Sequence, residues 1–201
     1  MNMWDKRYSE LGFAYGKTVN DFLKQKYQLI PAGGKVLCLA EGEGRNAVFL
    51  AKLGYQVTAV DLSEVGLNKA LKLARENNTE ISIVVADLAN FELGTNEWDA
   101  IVSIFAHVPE KIRKRVHAQI MPALHKHGIF ILEAYTYKHI EMKGIGGPPA
   151  TQKGMFNSLN DLMQELNTLD MIVGHESQRD IFEGKYHQGE SAVVQFVALK
   201  K

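Results

Sequence analysis

The fold is decided by the stretch Lys35-Val-Leu-Cys-Leu-Ala-Glu-Gly-Glu-Gly-Arg-Asn-Ala47, in which a short apolar run leads into a glycine-containing loop and then into a helical segment. A second apolar run, Gln56-Val-Thr-Ala-Val60, ends at Asp61. Glycines let the chain turn tightly and let a ligand approach the backbone closely. A carboxylate at the end of the following strand can accept the hydroxyl hydrogens of a ribose. The pattern therefore predicts a site for a nucleoside-bearing cofactor.

Apolar runs of strand length alternate with helical patterns along most of the chain. The predicted strands are residues 35–39, 56–60, 81–85, 98–104, 128–133, 169–181 and 191–199. The predicted helices are residues 45–53, 63–75 with Ser63 as N-cap, 110–124, and 157–166 with Ser158 as N-cap. Nearly continuous apolar strands alternating with helices are typical of parallel sheets, and the last two strands read as a hairpin. We expect an α/β fold with a doubly wound, Rossmann-like sheet of about seven strands, an antiparallel last strand and helices on both faces.

Composition limits the class of function. Hydrophobic residues make up 46% of the 201 residues and charged residues 23%, with 23 basic and 23 acidic side chains. This balance is typical of globular proteins and argues against nucleic acid or an anionic membrane as partner. No apolar run reaches the roughly 18 residues that span a bilayer, residues 1–8 lack a signal-peptide core, and the single cysteine forms no internal disulfide. We expect a cytoplasmic protein, either a monomer or a homodimer.

The organisation of the chain predicts one domain over residues 1–201, with a helical arm at residues 1–30 and a Rossmann-like core at residues 31–201. The basic run at residues 111–115 is expected on the solvated face of a helix. Cys38 lies between leucines in the first strand and is expected to be buried. Residues 144–149, Gly-Ile-Gly-Gly-Pro-Pro, predict a loop that is a candidate lid over a site.

The glycine loop by itself fits more than one cofactor. Gly42-x-Gly44-x-x-Ala47 followed by Asp61 also satisfies the dinucleotide-binding fingerprint, so an NAD-dependent oxidoreductase is one hypothesis. A plain helix-capping turn is another. The flanking residues disfavour a dinucleotide, because Glu41 and Glu43 would place two carboxylates beside a pyrophosphate. An acidic residue, Asp87, follows the third strand, where it is suited to an adenine amino group.

The pattern as a whole resembles the class I S-adenosylmethionine-dependent methyltransferases, and within them the small bacterial proteins related to the tellurite-resistance and thiopurine methyltransferases. The resemblance extends over nearly the whole chain. The segments that match are Val36-Leu-Cys-Leu-Ala-Glu-Gly-Glu-Gly-Arg-Asn46, Val60-Asp-Leu-Ser63, Ala86-Asp-Leu88, Trp98-Asp-Ala-Ile-Val-Ser103, Met121-Pro-Ala-Leu124 and the arm segments Trp4–Tyr8 and Tyr15–Asn20. The resemblance implies S-adenosylmethionine as cofactor, S-adenosylhomocysteine as product, and methyl transfer by in-line displacement to a small-molecule acceptor such as a thiol or a metalloid species.

The resemblance also implies which residues hold the cofactor. Asp61 would bind the ribose hydroxyls with Leu62 against the adenine, and Asp87 would meet the adenine amino group. The full set of expected cofactor-binding residues is Ala40, Glu41, Gly42, Gly44, Arg45, Asn46, Asp61, Leu62, Ser63, Ala86, Asp87, Leu88 and Phe105. For Arg45 two readings stay open: it holds the cofactor carboxylate, or it is exposed to solvent.

The sequence departs from the usual first motif of this family. Cys38 stands where an acidic residue is common, Ala40 stands in place of the first glycine, and Glu41 follows it. His125-Lys-His-Gly128 replaces the common Lys-Pro-Gly-Gly turn. An acidic side chain from Glu41 or Glu43 is expected to take over the missing role. The changed motif leaves open a non-catalytic protein that binds S-adenosylmethionine.

The acceptor side is predicted from the strand ends and the late loops. His107 follows the fourth strand, Tyr135 ends the fifth, and His187 lies in the turn between the last two strands, so these are the candidate catalytic residues. For each of them a structural role is the alternative. We expect no metal site, because no close His or Cys/His spacing is present, and no Ser-His-Asp hydrolase, because the G-x-S-x-G elbow is missing.

Overall fold

The structure is a computed structural model that describes residues 2–201. The strands are β1 (Lys35–Leu39), β2 (Gln56–Asp61), β3 (Ser82–Val85), β4 (Trp98–Ile104), β5 (Leu124–Tyr135), β6 (Asp170–Phe182) and β7 (Gln188–Leu199). The α-helices are α1 (Met3–Tyr8), α2 (Asp21–Lys26), α3 (Arg45–Lys52), α4 (Glu64–Glu76), α5 (Glu110–Ala123) and α6 (Leu159–Glu165). Short 3₁₀ turns lie at Tyr27–Leu29, Tyr137–Glu141 and Lys153–Met155.

Within residues 2–201 the strands form a single seven-stranded sheet in the order β3-β2-β1-β4-β5-β7-β6. Strands β1 to β5 run parallel to one another, while β7 is antiparallel to both β5 and β6. β2 and β3 lie on one side of β1, and β4 and β5 lie on its other side. The strand order therefore reverses between β1 and β4. Ligands in such sheets bind at this reversal, beyond the carboxyl ends of the strands. The predicted fold class is confirmed.

Helices cover both faces of the sheet because alternate residues of the central strands are apolar on opposite sides. In β1, Leu37 and Leu39 pack into the core that α5 and α6 cover. Val36 and Cys38 pack into the opposite core, which receives side chains from α2, α3 and α4. The parallel strands are therefore buried on both faces, as their continuous apolar pattern predicts. Cys38 is fully buried, as expected.

Two predicted N-caps are present. The Ser63 hydroxyl accepts the Gly66 N–H at 3.1 Å and begins α4, and the Ser158 hydroxyl accepts the Asp161 N–H at 3.1 Å and begins α6. Each hydroxyl satisfies a backbone donor that the first helical turn leaves without an internal partner. The caps fix where each helix begins.

Two local expectations were wrong. Strand β5 begins at Leu124 rather than at residue 128, because Leu124 pairs with Trp98 before a register shift in the ladder. The basic run on α5 is not uniformly solvated. Arg113 is buried, forms an ion pair with Glu165 at 2.9 Å and donates to the Phe156 carbonyl, so it ties α5 to α6. His117 contacts the same carboxylate at 2.6 Å.

Polar contacts join the arm that precedes β1 to the loop between β1 and α3, to the N-terminus of α4 and to β5. The Glu43 carboxylate accepts the Ala14 N–H at 2.7 Å, and the Ser63 hydroxyl donates to Asp5 at 2.6 Å. The buried Asn20 caps α2 and donates to Glu133 of β5 at 2.5 Å. These contacts hold the arm across the carboxyl ends of the strands, where the cavity lies.

Candidate active site

A cavity of about 590 Å³ opens at the carboxyl ends of β1, β2 and β4. Its size is within the range of small-molecule and cofactor sites. The predicted cofactor-binding residues that line it are Ala40, Glu41, Arg45, Asn46, Asp61, Leu62, Ala86, Asp87, Leu88 and Phe105. Of the predicted catalytic residues, His107 and His187 also line it. The sheet topology thus brings residues from distant parts of the chain to one site.

Gly42, Gly44 and Ser63 do not line the cavity but shape the loops behind it. A Cβ atom on Gly42 would lie 2.5 Å from the Tyr8 hydroxyl oxygen, and one on Gly44 would lie 2.4 Å from the Ala70 Cβ. Both glycines also have positive φ angles, +63° and +88°. The loop needs glycine at these positions because the arm and α4 pack directly against its backbone.

Two non-glycine residues at neighbouring strand ends have left-handed backbone conformations. Ala40 follows β1 with φ 49°, and Phe105 follows β4 with φ 54°. A side chain in this region strains the backbone, and such strain clusters at active sites and ligand clamps. Ala40 occupies the position of the first glycine in the usual motif, and its φ explains why glycine is suited to that position.

The Asp61 carboxylate lies at the floor of the cavity and is almost completely buried. Its oxygens accept the backbone N–H groups of Gly42 at 2.9 Å and Ser63 at 2.8 Å. Burial raises the pKa of Asp61 above its usual value, and these two hydrogen bonds oppose the rise. Each carboxylate oxygen has a second lone pair, so the group can also accept hydroxyl hydrogens from a ribose. The site therefore fits a nucleoside.

The two glutamates beside Gly42 have different partners. The Glu41 carboxylate accepts the backbone N–H groups of Asn46 at 2.9 Å and Ala47 at 2.8 Å, at the first turn of α3. Burial raises the pKa of Glu41 to about 7. In dinucleotide-binding folds this helix terminus binds the pyrophosphate. Because Glu41 already occupies the amides, the loop does not fit a dinucleotide.

Glu43 is buried and has a structural role. It accepts the Ala14 N–H and forms an ion pair with Lys69 of α4 at 2.7 Å. The carboxylate thus joins the arm to the loop and to α4. Its polar contacts connect these three segments. Glu41 and Asp61, by contrast, form no ion pair with a lysine, arginine or histidine among residues 2–201.

Arg45 is buried, so of the two readings left open by the sequence, solvent exposure is wrong. Its guanidinium donates to the Glu183 carboxylate at 2.6 Å and to the Thr18 carbonyl at 3.4 Å, while the side chain also lines the cavity. Glu183 accepts in addition from Arg179 at 3.1 Å and from Asn20 at 2.9 Å. The first turn of α3 is therefore tied to the turn between β6 and β7.

His107 uses both of its ring nitrogens within the protein. Nδ1 lies 3.0 Å from the Met155 carbonyl oxygen and donates to it, and Nε2 accepts the Tyr135 N–H at 3.3 Å. Burial lowers the pKa of His107 to about 4, so the ring is neutral at pH 7. His107 joins the segment after β4 to the end of β5 and to the 3₁₀ turn at Lys153–Met155.

Tyr135 is completely buried and lies beside the cavity rather than on its surface. Its ring stacks on Phe105, with 4.7 Å between the ring centroids, and lies tilted against His139, with 4.1 Å between the ring centroids. Burial raises the pKa of Tyr135 well above its usual value. Among residues 2–201 its hydroxyl has no hydrogen-bond partner, and a Cβ on Gly146 would lie 2.2 Å from that oxygen.

The late loops and the arm complete the cavity wall. Residues 145–149 line it from one side, and the aromatic side chains Tyr15 and Tyr186 line it from another. Arg7 lies between Trp4 and Tyr186 and donates to the Tyr15 hydroxyl at 2.8 Å. These arm residues and Glu183 are absent from the predicted site. The resemblance of the arm segments to an entrance arm was the available signal for them.

Other kinds of site are not evident. No group of three or more histidine, cysteine, aspartate or glutamate side chains within residues 2–201 is arranged to hold a metal ion. In the same part of the chain, every helix is too short or too polar to cross a membrane.

Comparisons of the sequence with known proteins match methyltransferases. Residues 36–128 match the family model of a methyltransferase domain. The Bacillus subtilis (strain 168) uncharacterized methyltransferase YbaJ is 33% identical over 100 residues, which cover 49% of this chain and 39% of that protein. The chain thus matches about two fifths of the length of this curated relative.

Solved structures show the same fold. The chain is similar to TehB from Haemophilus influenzae, with a TM-score of 0.72 and 19% identity over 98% of this chain and 66% of TehB. It is also similar to a TehB-like SAM-dependent methyltransferase from Corynebacterium glutamicum, with a TM-score of 0.61 and 22% identity over 90% and 87% of the two chains. Residues 36–128 thus match a methyltransferase domain, and the chain has the fold of these two solved structures.

Proposed function

We propose that this protein transfers the methyl group of S-adenosylmethionine to a small-molecule acceptor by in-line displacement. The observation that supports this most directly is that a single cavity holds both the Asp61 carboxylate, suited to a ribose, and a wall of histidine and aromatic side chains beyond it. A nucleoside at Asp61 and an acceptor at that wall would share one enclosed space.

The cofactor would be held by residues from three strand ends. Asp61 would accept the ribose hydroxyls, Leu62 would cover the adenine, and Asp87 would accept from the adenine amino group. Leu62 and Asp87 are exposed enough to meet a ligand, and Leu88 is buried beside them. The backbone at Ala40, Glu41, Gly42 and Gly44 would pass under the rest of the molecule. Arg45, Asn46, Ala86 and Phe105 complete the proposed set, and the buried Ser63 supports Asp61 from behind.

The chemistry asks little of the protein beyond alignment. When bound, the sulfonium supplies an activated methyl group. The protein must direct an acceptor lone pair at the methyl carbon and exclude water, and such positioning contributes roughly 7–11 kcal/mol in favourable cases. The arm, residues 145–149 and the turn at residues 183–187 enclose the cavity. We propose that residues 144–149 act as its lid.

The acceptor is proposed to be a thiol or a metalloid species, with the acceptor side formed by His107 and His187 and with the buried Tyr135 packed behind them rather than in contact with the acceptor. The likeness to TehB in fold supports this grouping. We propose that residues 1–201 act as one unit, as a monomer or homodimer in the cytoplasm, with no nucleic acid or membrane partner. A non-catalytic protein that binds S-adenosylmethionine is the second candidate, and the departures at Cys38 and Ala40 favour it.

Product formation distinguishes the two candidates. The purified protein is incubated with methyl-labelled S-adenosylmethionine and one acceptor per reaction. The acceptors are aliphatic thiols, aromatic thiols, phenols, amines, selenite and tellurite. Label in an extractable product supports the enzyme. Binding of S-adenosylhomocysteine with no labelled product from any acceptor supports the non-catalytic candidate. A variant with residues 145–149 replaced by a shorter glycine linker tests the lid. If these residues close the cavity, water should enter it and turnover should fall; unchanged turnover would reject the lid.

A further inference from the structure

His187 stands out among the histidines because its ring is fixed at the edge of the cavity. The ring centroid lies 4.4 Å from that of Tyr15, 4.6 Å from that of Phe105 and 5.3 Å from that of Tyr135. Aromatic side chains from the arm, from β4 and from β5 therefore set its orientation. The side chain is only 9% exposed, and the exposed part faces the cavity.

One nitrogen of this ring faces a carboxylate. His187 Nδ1 is buried and lacks a hydrogen-bond partner among residues 2–201, and the nearest carboxylate oxygen, Glu183 Oε2, lies 4.0 Å away. Arg45 and Asn20 hold Glu183 in place at 2.6 Å and 2.9 Å. In a neutral histidine only one ring nitrogen carries hydrogen. If the hydrogen is on Nδ1, facing the carboxylate, then Nε2 carries the free lone pair. Nε2 is then the nitrogen left for a ligand in the cavity.

His107 differs in this respect although it also lines the cavity. Both of its nitrogens are used by the backbone, at Met155 and Tyr135. It cannot accept a further proton at Nε2 without losing the Tyr135 N–H. Of the two cavity histidines, His187 is the one whose nitrogens lack protein partners over the described chain.

We propose that His187 is a general base, that Glu183 is its positioning residue, and that the acceptor is a protic molecule, a thiol in the first place, which enters with its proton still attached. This inference rests on the proposed function. The acceptor S–H proton passes to His187 Nε2 while a sulfur lone pair forms the bond to the methyl carbon. The bond between that carbon and the sulfonium sulfur breaks, and its electron pair stays on that sulfur. Glu183 stabilises the resulting imidazolium, which then releases its proton to solvent.

The surroundings of His187 suit this role. The groups that face it are the Glu183 carboxylate, the Arg45 guanidinium behind it, the Tyr15 and Tyr135 rings and the neutral rings of His107 and His139. Burial lowers the pKa of His187 to about 4 and the Glu183 carboxylate opposes this fall, so the ring is neutral at pH 7 and the same carboxylate would stabilise the imidazolium. Burial alone would raise the pKa of Glu183, but His187 and Arg45 hold it at about 2, so the carboxylate stays charged.

The test compares two thiols that differ in ionisation. Benzyl mercaptan is largely protonated at pH 7, while 4-nitrothiophenol is largely ionised. Turnover of both is measured from pH 6 to 9 for the wild type, His187→Gln, Glu183→Gln and the control His139→Gln. His139 is a suitable control because it is also buried with an unpartnered Nδ1 but lies outside the cavity lining.

We expect His187→Gln to lower turnover of benzyl mercaptan at pH 7 by about 100-fold or more, as removal of a general base does. The deficit should shrink as pH rises toward the pKa of the thiol, and it should be less than about 10-fold for 4-nitrothiophenol. Glu183→Gln should show the same pH trend with a smaller loss. His139→Gln should keep the wild-type pH profile, and the Tm of each variant shows whether it is folded.

Equal losses on both thiols, an unchanged pH profile in His187→Gln, or methylation confined to selenite and tellurite would overturn the proposal. These outcomes leave the proposed function standing if S-adenosylhomocysteine still binds the wild type and His187→Gln equally. Failure of the wild type to bind S-adenosylhomocysteine would instead reject the proposed function.

Discussion

The buried carboxylate of Glu133 offers the sharpest test of what holds the late strands to the core. The side chain is completely buried on β5 and accepts from Arg179 of β6 at 2.8 Å and 2.9 Å, from Gln195 of β7 at 2.6 Å and from Asn20 of the arm at 2.5 Å. Breaking a buried ion pair by removing one partner costs about 3–5 kcal/mol. Here Gln195 and Asn20 also lose an acceptor, while Arg179 keeps Glu183 at 3.1 Å. Glu133→Leu should therefore destabilise the protein by about that amount.

Urea unfolding at pH 7 measures this cost. In a protein of this length, 3–5 kcal/mol corresponds to a fall in Tm of about 6–20 °C, at roughly 2–4 °C per kcal/mol. The matched control is Glu110→Ala, which removes the exposed i,i+4 pair with Lys114 on α5 and should cost less than about 0.5 kcal/mol. The single variant Arg179→Met and the double variant Glu133→Leu, Arg179→Met complete the cycle. The double variant should lose less than the sum of the two single losses, because it removes both partners of the Glu133–Arg179 pair.

The reasoning fails if Glu133→Leu costs no more than Glu110→Ala, or if the double variant loses the sum of the two single losses. Either result would mean that the carboxylate contributes no more than a surface charge and that apolar packing alone fixes β6 and β7. A loss of 3 kcal/mol or more, with a double-variant loss below that sum, supports the buried network as the link between the arm and the late strands.

Three further predictions concern residues that line the cavity just after β1 and β3. Asp87→Ala should weaken S-adenosylhomocysteine binding by about 10-fold or more, as loss of a charged hydrogen bond does, while Asp170→Ala, at a half-buried position outside the cavity, should leave it unchanged in calorimetry. Ala40→Gly should raise the free energy of unfolding by up to about 1 kcal/mol, because φ is 49° at this residue, whereas Ala47→Gly in α3 should lower it; equal losses in urea titrations would contradict this. Burial raises the pKa of Glu41 from 4.5 to about 7, so its protonated form favours folding below pH 4.5 and this stability, about 3 kcal/mol, is lost as pH rises through 7. Glu41→Gln should remove this pH dependence between pH 4.5 and 8, and an identical pH profile in both proteins would refute the assignment.

Local sequence patterns were sufficient to predict most of the sheet. The bounds of β1 and β4 agree with the predicted runs, which are rich in Val, Ile and Leu. The start of β5 was predicted late because residues 125–127, His-Lys-His, are polar yet belong to the strand. Their position depends on pairing with β4, which local hydrophobicity does not report.

The location of the cavity was also predictable, since ligands in parallel sheets bind beyond the strand ends. The partners within it were not. Arg45 pairs with Glu183, 138 residues later in the chain, and local sequence carries no signal for a contact of that separation. The same holds for His107 and His187, which look alike in the sequence. They differ only in their contacts: both ring nitrogens of His107 are hydrogen-bonded, whereas Nδ1 of His187 has no partner among residues 2–201.

The most direct measurement of cofactor identity is calorimetric titration of the protein with S-adenosylhomocysteine, with NAD titrated in parallel. The Asp61 carboxylate at the floor of the cavity and the Glu41 carboxylate on the α3 amides lead us to expect micromolar binding of S-adenosylhomocysteine and no binding of NAD. Asp61→Ala, checked for an intact fold by its Tm, should weaken the binding strongly. Binding of NAD, or no binding of S-adenosylhomocysteine by the folded wild type, would contradict the proposed methyltransferase.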